Sequence, residues 1–262
     1  MPKEFRKKFR LSEQLNESIV DGIIYGYKDY LSVRMEAARN LKVHGAYAWV
    51  KGNHIDHRVA VECKKFGVTS NLARAGLTWQ YLQFRKEDDN ALFLLKNARY
   101  FNSNAVDKGL DASGKPRKQK ASYMEKLIPI NIDIDFPKEL DASHYDKSIQ
   151  LELLEDQGLV PISVEKSENI STEFNKFYIV TYEIDEEFSI NSIKLFMPNP
   201  VNNKAYLVED LSRLINTKPS HVIEMEEDTK SILQSLTDTV YDASSFDIAL
   251  TEDDSDEAIR ES

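Results

Sequence analysis

The feature that most restricts the fold is a long stripe of apolar residues with helical spacing near the N-terminus. Seven of them recur three or four positions apart: Val20, Ile23, Ile24, Tyr27, Leu31, Met35 and Ala38. This spacing places them on one face of a helix, which other elements must cover. Ser18 and Asp21 resemble a capping pair, although the helix can begin earlier, and Gly45 ends the pattern. The sequence therefore predicts a long helix with a packed partner.

Residues 53 to 66 fit two interpretations, because their apolar positions suit both an alternating strand and a helix. In the helical interpretation Asn53 is the N-cap and Gly67 supplies a left-handed C-cap. Its buried stripe consists of Ile55, Val59, Cys63 and Phe66. We favour the helix because its start, stripe and end agree, and the strand remains the alternative.

Pairs of aromatic and aliphatic segments further along the chain predict two antiparallel hairpins. Residues 78–84 pair with 91–96, and residues 177–184 pair with 190–196. Alternating apolar residues at 130–136 predict a strand that stops at Pro137, and residues 206–215 are predicted to be helical. The polar stretch at 97–124 is predicted to be a long loop, a kind of segment that is usually functional or disordered. Together these elements predict an α+β fold, with N-terminal helices followed by antiparallel hairpins and a packed helix.

The charge of the chain is concentrated near its C-terminus. Residues 224–262 carry a net charge of −11, whereas residues 1–223 sum to +1. Few large apolar residues follow Leu250, so this segment cannot bury enough surface to offset its ordering entropy. We predict an N-terminal part at 1–137, a second part at 138–223 that can share its domain, and a disordered acidic tail at 224–262.

Composition also bears on location. A hydrophobic fraction of 41% is ample for a folded core. No apolar run approaches the roughly 20 residues that cross a bilayer, and the basic N-terminus lacks the apolar segment of a secretory signal. The lone Cys63 excludes an intrachain disulfide. These features predict a cytoplasmic protein without a membrane partner.

One possible catalytic motif consists of Asp56, Glu62 and Lys64. The pattern resembles that of restriction-type nucleases, in which two carboxylates hold Mg²⁺ and a lysine supports the attacking water. On a straight strand the two carboxylates lie about 20 Å apart, and on a helix they occupy different faces. Because both geometries separate the carboxylates, a Mg²⁺-dependent nuclease is only the alternative hypothesis. The leading hypothesis, a non-enzymatic binding protein, needs no cofactor. His54, His57 and Cys63 are too few to predict a zinc site.

Two basic clusters predict contacts with nucleic acid. The predicted contact residues are Lys7, Lys8, Lys115, Arg117, Lys118 and Lys120, which can neutralise phosphates, together with Trp79 and Tyr81, which can stack on bases. The competing interpretation of the two aromatic residues is that they belong to the core of the first hairpin.

Three stretches carry a resemblance to known proteins: residues 74–84 (RAGLTWQYLQF), 92–101 (LFLLKNARYF) and 193–199 (IKLFMPN). They resemble an uncharacterised family found on phages and mobile elements of Gram-positive bacteria, over much of residues 15–215. The resemblance implies a genetic setting and offers no catalytic residues. With the basic clusters and the acidic tail, it predicts a non-enzymatic accessory protein that binds nucleic acid or a host protein.

Overall fold

A computed structural model describes residues 3–75, 79–137, 174–223 and 227–235. Its centre is a sheet of six strands: β1 (Val68–Ala75), β2 (Trp79–Lys86), β3 (Ala91–Asn97), β4 (Lys176–Ile184), β5 (Ile190–Pro198) and β6 (Ala205–Asp210). The strands follow chain order across the sheet. Every neighbouring pair is antiparallel except the central β3–β4 pair, which is parallel. Two antiparallel halves are thus joined in the middle, across the predicted boundary between residues 137 and 138.

Five α-helices surround the sheet within the described residues: α1 (Lys3–Phe9), α2 (Glu13–Asn40), α3 (Lys51–Cys63), α4 (Ser122–Leu127) and α5 (Glu227–Ser235). The α+β class predicted from the sequence is confirmed. The first predicted helix is also confirmed, but it begins earlier than the Ser18–Asp21 pair. Ser12 is its N-cap, and the Ser12 side-chain oxygen accepts from the backbone N–H of Leu15 at 3.3 Å.

The segment after residue 50 is a helix, as favoured from its sequence. Ile55, Val59 and Cys63 are fully buried, and Gly67 adopts φ 72°, with its N–H donating to the Lys64 carbonyl. Asn53 is not the N-cap, because a 3-10 turn at Gly45–Val50 runs directly into α3. Helix α3 therefore begins at Lys51, two residues before Asn53, and the 3-10 segment extends the helical path by six residues more.

Helices α2 and α3 approach each other closely at two glycines. A Cβ atom on Gly22 would lie 2.5 Å from the Cα atom of Val59, and one on Gly26 would lie 2.6 Å from the Cα atom of Ile55. Any side chain at these positions would meet backbone atoms. The two glycines therefore set the distance between the helices and bring both apolar stripes to the sheet.

The sheet buries apolar side chains on both faces. On one face α1, α2 and α3 cover the first core, which includes Phe84, Phe93 and Val180. On the other, α4 and the segment around it cover the second core, which includes Leu92 and Phe177. Because β3 and β4 are covered on both sides, their sequences are almost continuously apolar.

Both predicted hairpins are confirmed as β2–β3 and β4–β5. Asn90 adopts a left-handed conformation at the first turn. At the second, the Asp185 carboxylate accepts from the backbone N–H groups of Glu187 and Ser189. Short-range turn chemistry explains why the sequence predicted these elements well.

Residues 130–136, predicted to be a strand, are not one. Ile128–Asn131 form a 3-10 turn with Pro129 as its second residue, and residues 132–137 have no regular structure. The buried Asn131 side chain bonds backbone groups of β4 and β5: it accepts from the Phe177 N–H at 2.7 Å and donates to the carbonyls of Phe177 at 2.9 Å and Pro198 at 2.8 Å. These bonds attach the segment to the end of the sheet.

The helix predicted at 206–215 is also wrong. Residues 205–210 form β6, which pairs with β5, and only Ser212–Leu214 form a 3-10 turn. In the predicted acidic tail, residues 227–235 form α5, with Leu233 buried in the core beneath α2. The rest of the predicted acidic tail, residues 224–226 and 236–262, lies outside the described part of the chain.

The segment before α5 is attached to α2 through Asp21. Lys218 Nζ donates to both carboxylate oxygens of Asp21, at 2.8 and 2.6 Å, and this bond raises the pKa of Lys218. Nε2 of the buried His221 lies 2.8 Å from Asp21 Oδ1, and its Nδ1 lies 2.6 Å from the Ile215 carbonyl oxygen. This network holds the C-terminal segment on the helical side of the sheet.

Candidate nucleic-acid interface

The basic loop between β3 and α4 is ordered by its own polar contacts. At its tip, Asp111 Oδ1 accepts from Ser113 N–H and Lys115 N–H at 2.9 Å each, and from the Ser113 hydroxyl at 2.7 Å. The bond from Ser113 lowers the pKa of Asp111. Gly114 adopts φ 77°, and Leu110 forms a β-bridge with Pro116. The tip is therefore a closed turn that presents the side chain of Lys115.

The base of the loop is attached to the sheet. Val106 is buried, and its N–H donates to the Asn203 carbonyl at 2.9 Å. The N–H of Ala205, at the start of β6, donates to the Ser103 carbonyl at 2.7 Å. These bonds place the loop on the face of the sheet opposite α2 and α3, beside the β6 edge.

The four predicted loop cations divide into two kinds. Lys115 and Lys118 are exposed. Arg117 is half-buried, and its Nε donates to the Leu110 carbonyl at 2.9 Å. Lys120 is also exposed, but its Nζ lies 3.5 Å from both Asp107 and Glu125. The first pair can contact a ligand without breaking the loop, whereas the second pair maintains its shape.

Three basic residues that sequence reasoning did not single out belong to the same surface: Lys96, Arg99 and Lys108. Lys96 and Lys108 line one depression together with Arg117. From residue 96 to residue 120 the chain has seven basic and two acidic residues, a net charge of +5. Asp107 and Asp111, the two acidic residues, are engaged by internal contacts. Lys96, Arg99 and Lys108 lie close to the predicted cluster along the chain, and this closeness is a signal that could have identified them.

The predicted aromatic residues lie on β2. The half-buried Tyr81 packs its ring against Tyr123 at a centroid distance of 5.1 Å, and its hydroxyl accepts from Gln83 at 3.0 Å. Lys96 Nζ lies 5.0 Å from the Tyr123 ring centroid. Trp79 pairs with Ala75 at the start of β2, and its side chain is outside the described set. Tyr81 thus lies next to the basic surface, partly within the second core.

Lys7 and Lys8 lie on the other side of the β6 edge. They are exposed on α1, whose Phe5 packs against Phe136 and Tyr206. Tyr206 contacts the first core and its neighbour Ala205 contacts the second, since successive strand residues face opposite sides. The two predicted basic clusters therefore flank one edge strand and do not form a single surface.

The residues of the nuclease hypothesis lie on or just beyond one uninterrupted helix and do not form a site. Asp56 Oδ2 accepts from the Leu82 N–H at 3.2 Å, and burial raises the pKa of Asp56 to about 7. Glu62 pairs with Arg58 at 3.2 Å, and Lys64 is exposed just beyond the helix. Six residues of helix correspond to about 600° of rotation, so the two carboxylates diverge. Among the described residues no group of three His, Cys, Asp or Glu side chains is arranged to hold a metal ion.

No family model, curated protein or solved structure matches the chain significantly. In the described residues, no helix is both long enough and apolar enough to cross a membrane.

Proposed function

We propose that this chain is a non-enzymatic accessory protein, carried by a phage or mobile element, that binds nucleic acid through the loop surface around Lys115 and Lys118. The observation that carries the proposal is the excess of cations in an ordered loop whose two acidic residues are already engaged. Exposed lysines held on such a loop can neutralise phosphates and release their counterions. Tyr81 beside this surface can add a stacking contact to an unpaired base.

The uninterrupted helix α3 supports the non-enzymatic proposal over the nuclease hypothesis. Shared Mg²⁺ ligation requires two carboxylates within a few Å of one ion. Asp56 already accepts from the backbone of β2, and Glu62 is paired with Arg58 on its own helix. Both carboxylates therefore make contacts that stabilise the fold.

The test is direct binding of labelled single-stranded DNA, duplex DNA and single-stranded RNA, measured by fluorescence anisotropy between 50 and 200 mM salt. We expect affinity to fall steeply with salt for at least one of the three. Replacing Lys115 and Lys118 by glutamine removes two exposed cations without breaking a hydrogen bond of the loop. If each contacts one phosphate, the log–log salt slope should decrease by about 1.4 for single strands or about 1.8 for duplex DNA.

The matched control replaces Lys64 and Lys65 by glutamine. These exposed lysines follow α3 on the opposite face of the sheet. Their replacement causes the same change in net charge as the replacement of Lys115 and Lys118. The control should bind as the unmodified protein does. Equal losses in both double variants would show only a general charge effect, and no binding at 50 mM salt would refute the proposal.

A further inference from the structure

A second site that the basic loop does not explain surrounds Arg34 in the last third of α2. The Arg34 side chain is completely buried, with 0% of its surface exposed. Its Nη1 donates to the His44 carbonyl at 3.0 Å. Nε and Nη2 are buried and have no hydrogen-bond partner among the described residues. A buried guanidinium left in this state is costly, because its charge and donors have lost their water.

The two unpartnered nitrogens belong to the same edge of the guanidinium. Nε–H and an N–H of Nη2 point in parallel, and this pair binds two oxygens of a carboxylate or phosphate side by side. Nη1, which is on the other side, is the nitrogen engaged by the protein. The arrangement leaves vacant the edge best suited to an oxyanion.

Other cationic or titratable residues lie on the elements next to Arg34: α2, the segment after it and the start of α3. The Nδ1 atom of His44 is buried and lacks a partner in the described part of the chain. One turn earlier on α2, the ring of Tyr30 lies 5.7 Å from Lys51 Nζ and 6.4 Å from the ring of His54. Within the described ranges, no carboxylate forms an ion pair with Arg34. An anion here would balance a charge that the described side chains leave unbalanced.

The segment that accepts the hydrogen bond of Arg34 is weakly held. Residues 41–50 connect α2 to α3, and only Ala48 among them is buried. Leu41, Val43 and Trp49 are exposed by 43%, 88% and 39%. Segments with so few buried contacts open locally at low free-energy cost. Opening this one would admit a small ion to Arg34.

We infer that Arg34, with His44, binds an oxyanion, either a phosphate group or a carboxylate, through the Nε/Nη2 edge of its guanidinium. The site lies on the helical side of the sheet and does not depend on the basic loop. Bound oxyanion would give both unpartnered nitrogens of Arg34 an acceptor and would hold residues 41–50 over the end of α2.

Thermal unfolding of the full chain tests this inference, in phosphate, acetate or chloride at equal ionic strength. Phosphate or acetate should stabilise the protein saturably relative to chloride, with the folded-to-unfolded ratio rising about elevenfold at ten times Kd. The more effective ion identifies the class of ligand. The variant Arg34→Gln should lose this response, whereas Arg39→Gln, an exposed residue of the same helix, should keep it.

A second measurement covers the case in which Arg34→Gln does not fold. In the unmodified protein, the Nε–H signal of Arg34 should shift during an NMR titration with phosphate or acetate, with the Kd of the thermal experiment. An Nε–H signal that ignores both ions would overturn the inference. So would an equal thermal response in Arg34→Gln and the unmodified protein.

Discussion

Replacing Gly26 by alanine tests one of the two close contacts between α2 and α3. The added Cβ would lie 2.6 Å from the Cα atom of Ile55 and 2.7 Å from the His54 carbonyl oxygen. Both are backbone atoms, so relief requires α3 to move by about 0.8 Å, because ordinary contacts begin near 3.4 Å. Overpacking of this kind costs about 1–3 kcal/mol, against a helix-propensity gain of about 1 kcal/mol. With rigid neighbours the upper part of that range applies, and we expect a net loss of about 1–2 kcal/mol.

Gly52→Ala provides the matched comparison. This glycine lies in the first turn of α3, and a Cβ there meets no atom within 4 Å. The same substitution should therefore stabilise the protein by about 0.5 kcal/mol. Urea unfolding followed by circular dichroism measures both variants, which should shift the midpoint in opposite directions. A stabilised Gly26→Ala protein would show that the two helices do not approach as described.

Three further substitutions follow from buried polar contacts. Because burial raises the pKa of Asp56 to about 7, the folded state binds its proton more tightly than the unfolded state does, and stability should fall from about pH 4 to pH 7; Asp56→Asn should flatten this decline. Glu209→Gln weakens contacts with Arg10, Asn16 and Arg213 and should cost about 1–3 kcal/mol. Asn131→Ala removes three buried hydrogen bonds and should cost about 3 kcal/mol.

Denaturant unfolding checks each of these, at several pH values for Asp56. Parallel pH profiles for Asp56→Asn and the unmodified protein would contradict the first prediction. The control for Glu209 is Glu13→Gln, which loses one exposed contact to Arg213 at 3.5 Å and should change stability by less than about 0.5 kcal/mol. A loss below about 1 kcal/mol for Asn131→Ala would show that water replaces the lost bonds.

The parts of the fold that local sequence determines were predictable. The stripe of α3, the left-handed Gly67 and the turn at Asp185 depend on residues only a few positions apart. Residues 206–215 were mistaken for a helix because their apolar spacing suits both structures, and the pairing of β6 with β5 decides between them. Strand β1 escaped prediction because it is a mostly exposed edge strand with polar residues.

The candidate sites also contain residues that could be predicted from the sequence and residues that could not. Lys115 and Lys118 were identifiable because a basic run in a polar loop is visible in the sequence. The structural roles of Arg117 and Lys120 were not, since their partners become known only when the loop is folded. Arg34 carried no signal at all, because an arginine on a long helix is usually exposed, and its bond to the His44 carbonyl becomes known only when residues 41–50 are folded.

The parallel pairing of β3 with β4 has a consequence for how the chain folds. Residues 98–175 separate these two neighbouring strands, so the middle of the sheet can form only after a long loop closes, which slows folding. Each doubling of such a loop adds only about 0.6 kcal/mol of closure entropy. Insertions between β3 and β4 should therefore change the folding rate more than the stability. Because the β3–β4 pair joins the two antiparallel halves, we expect both halves to unfold in one cooperative transition.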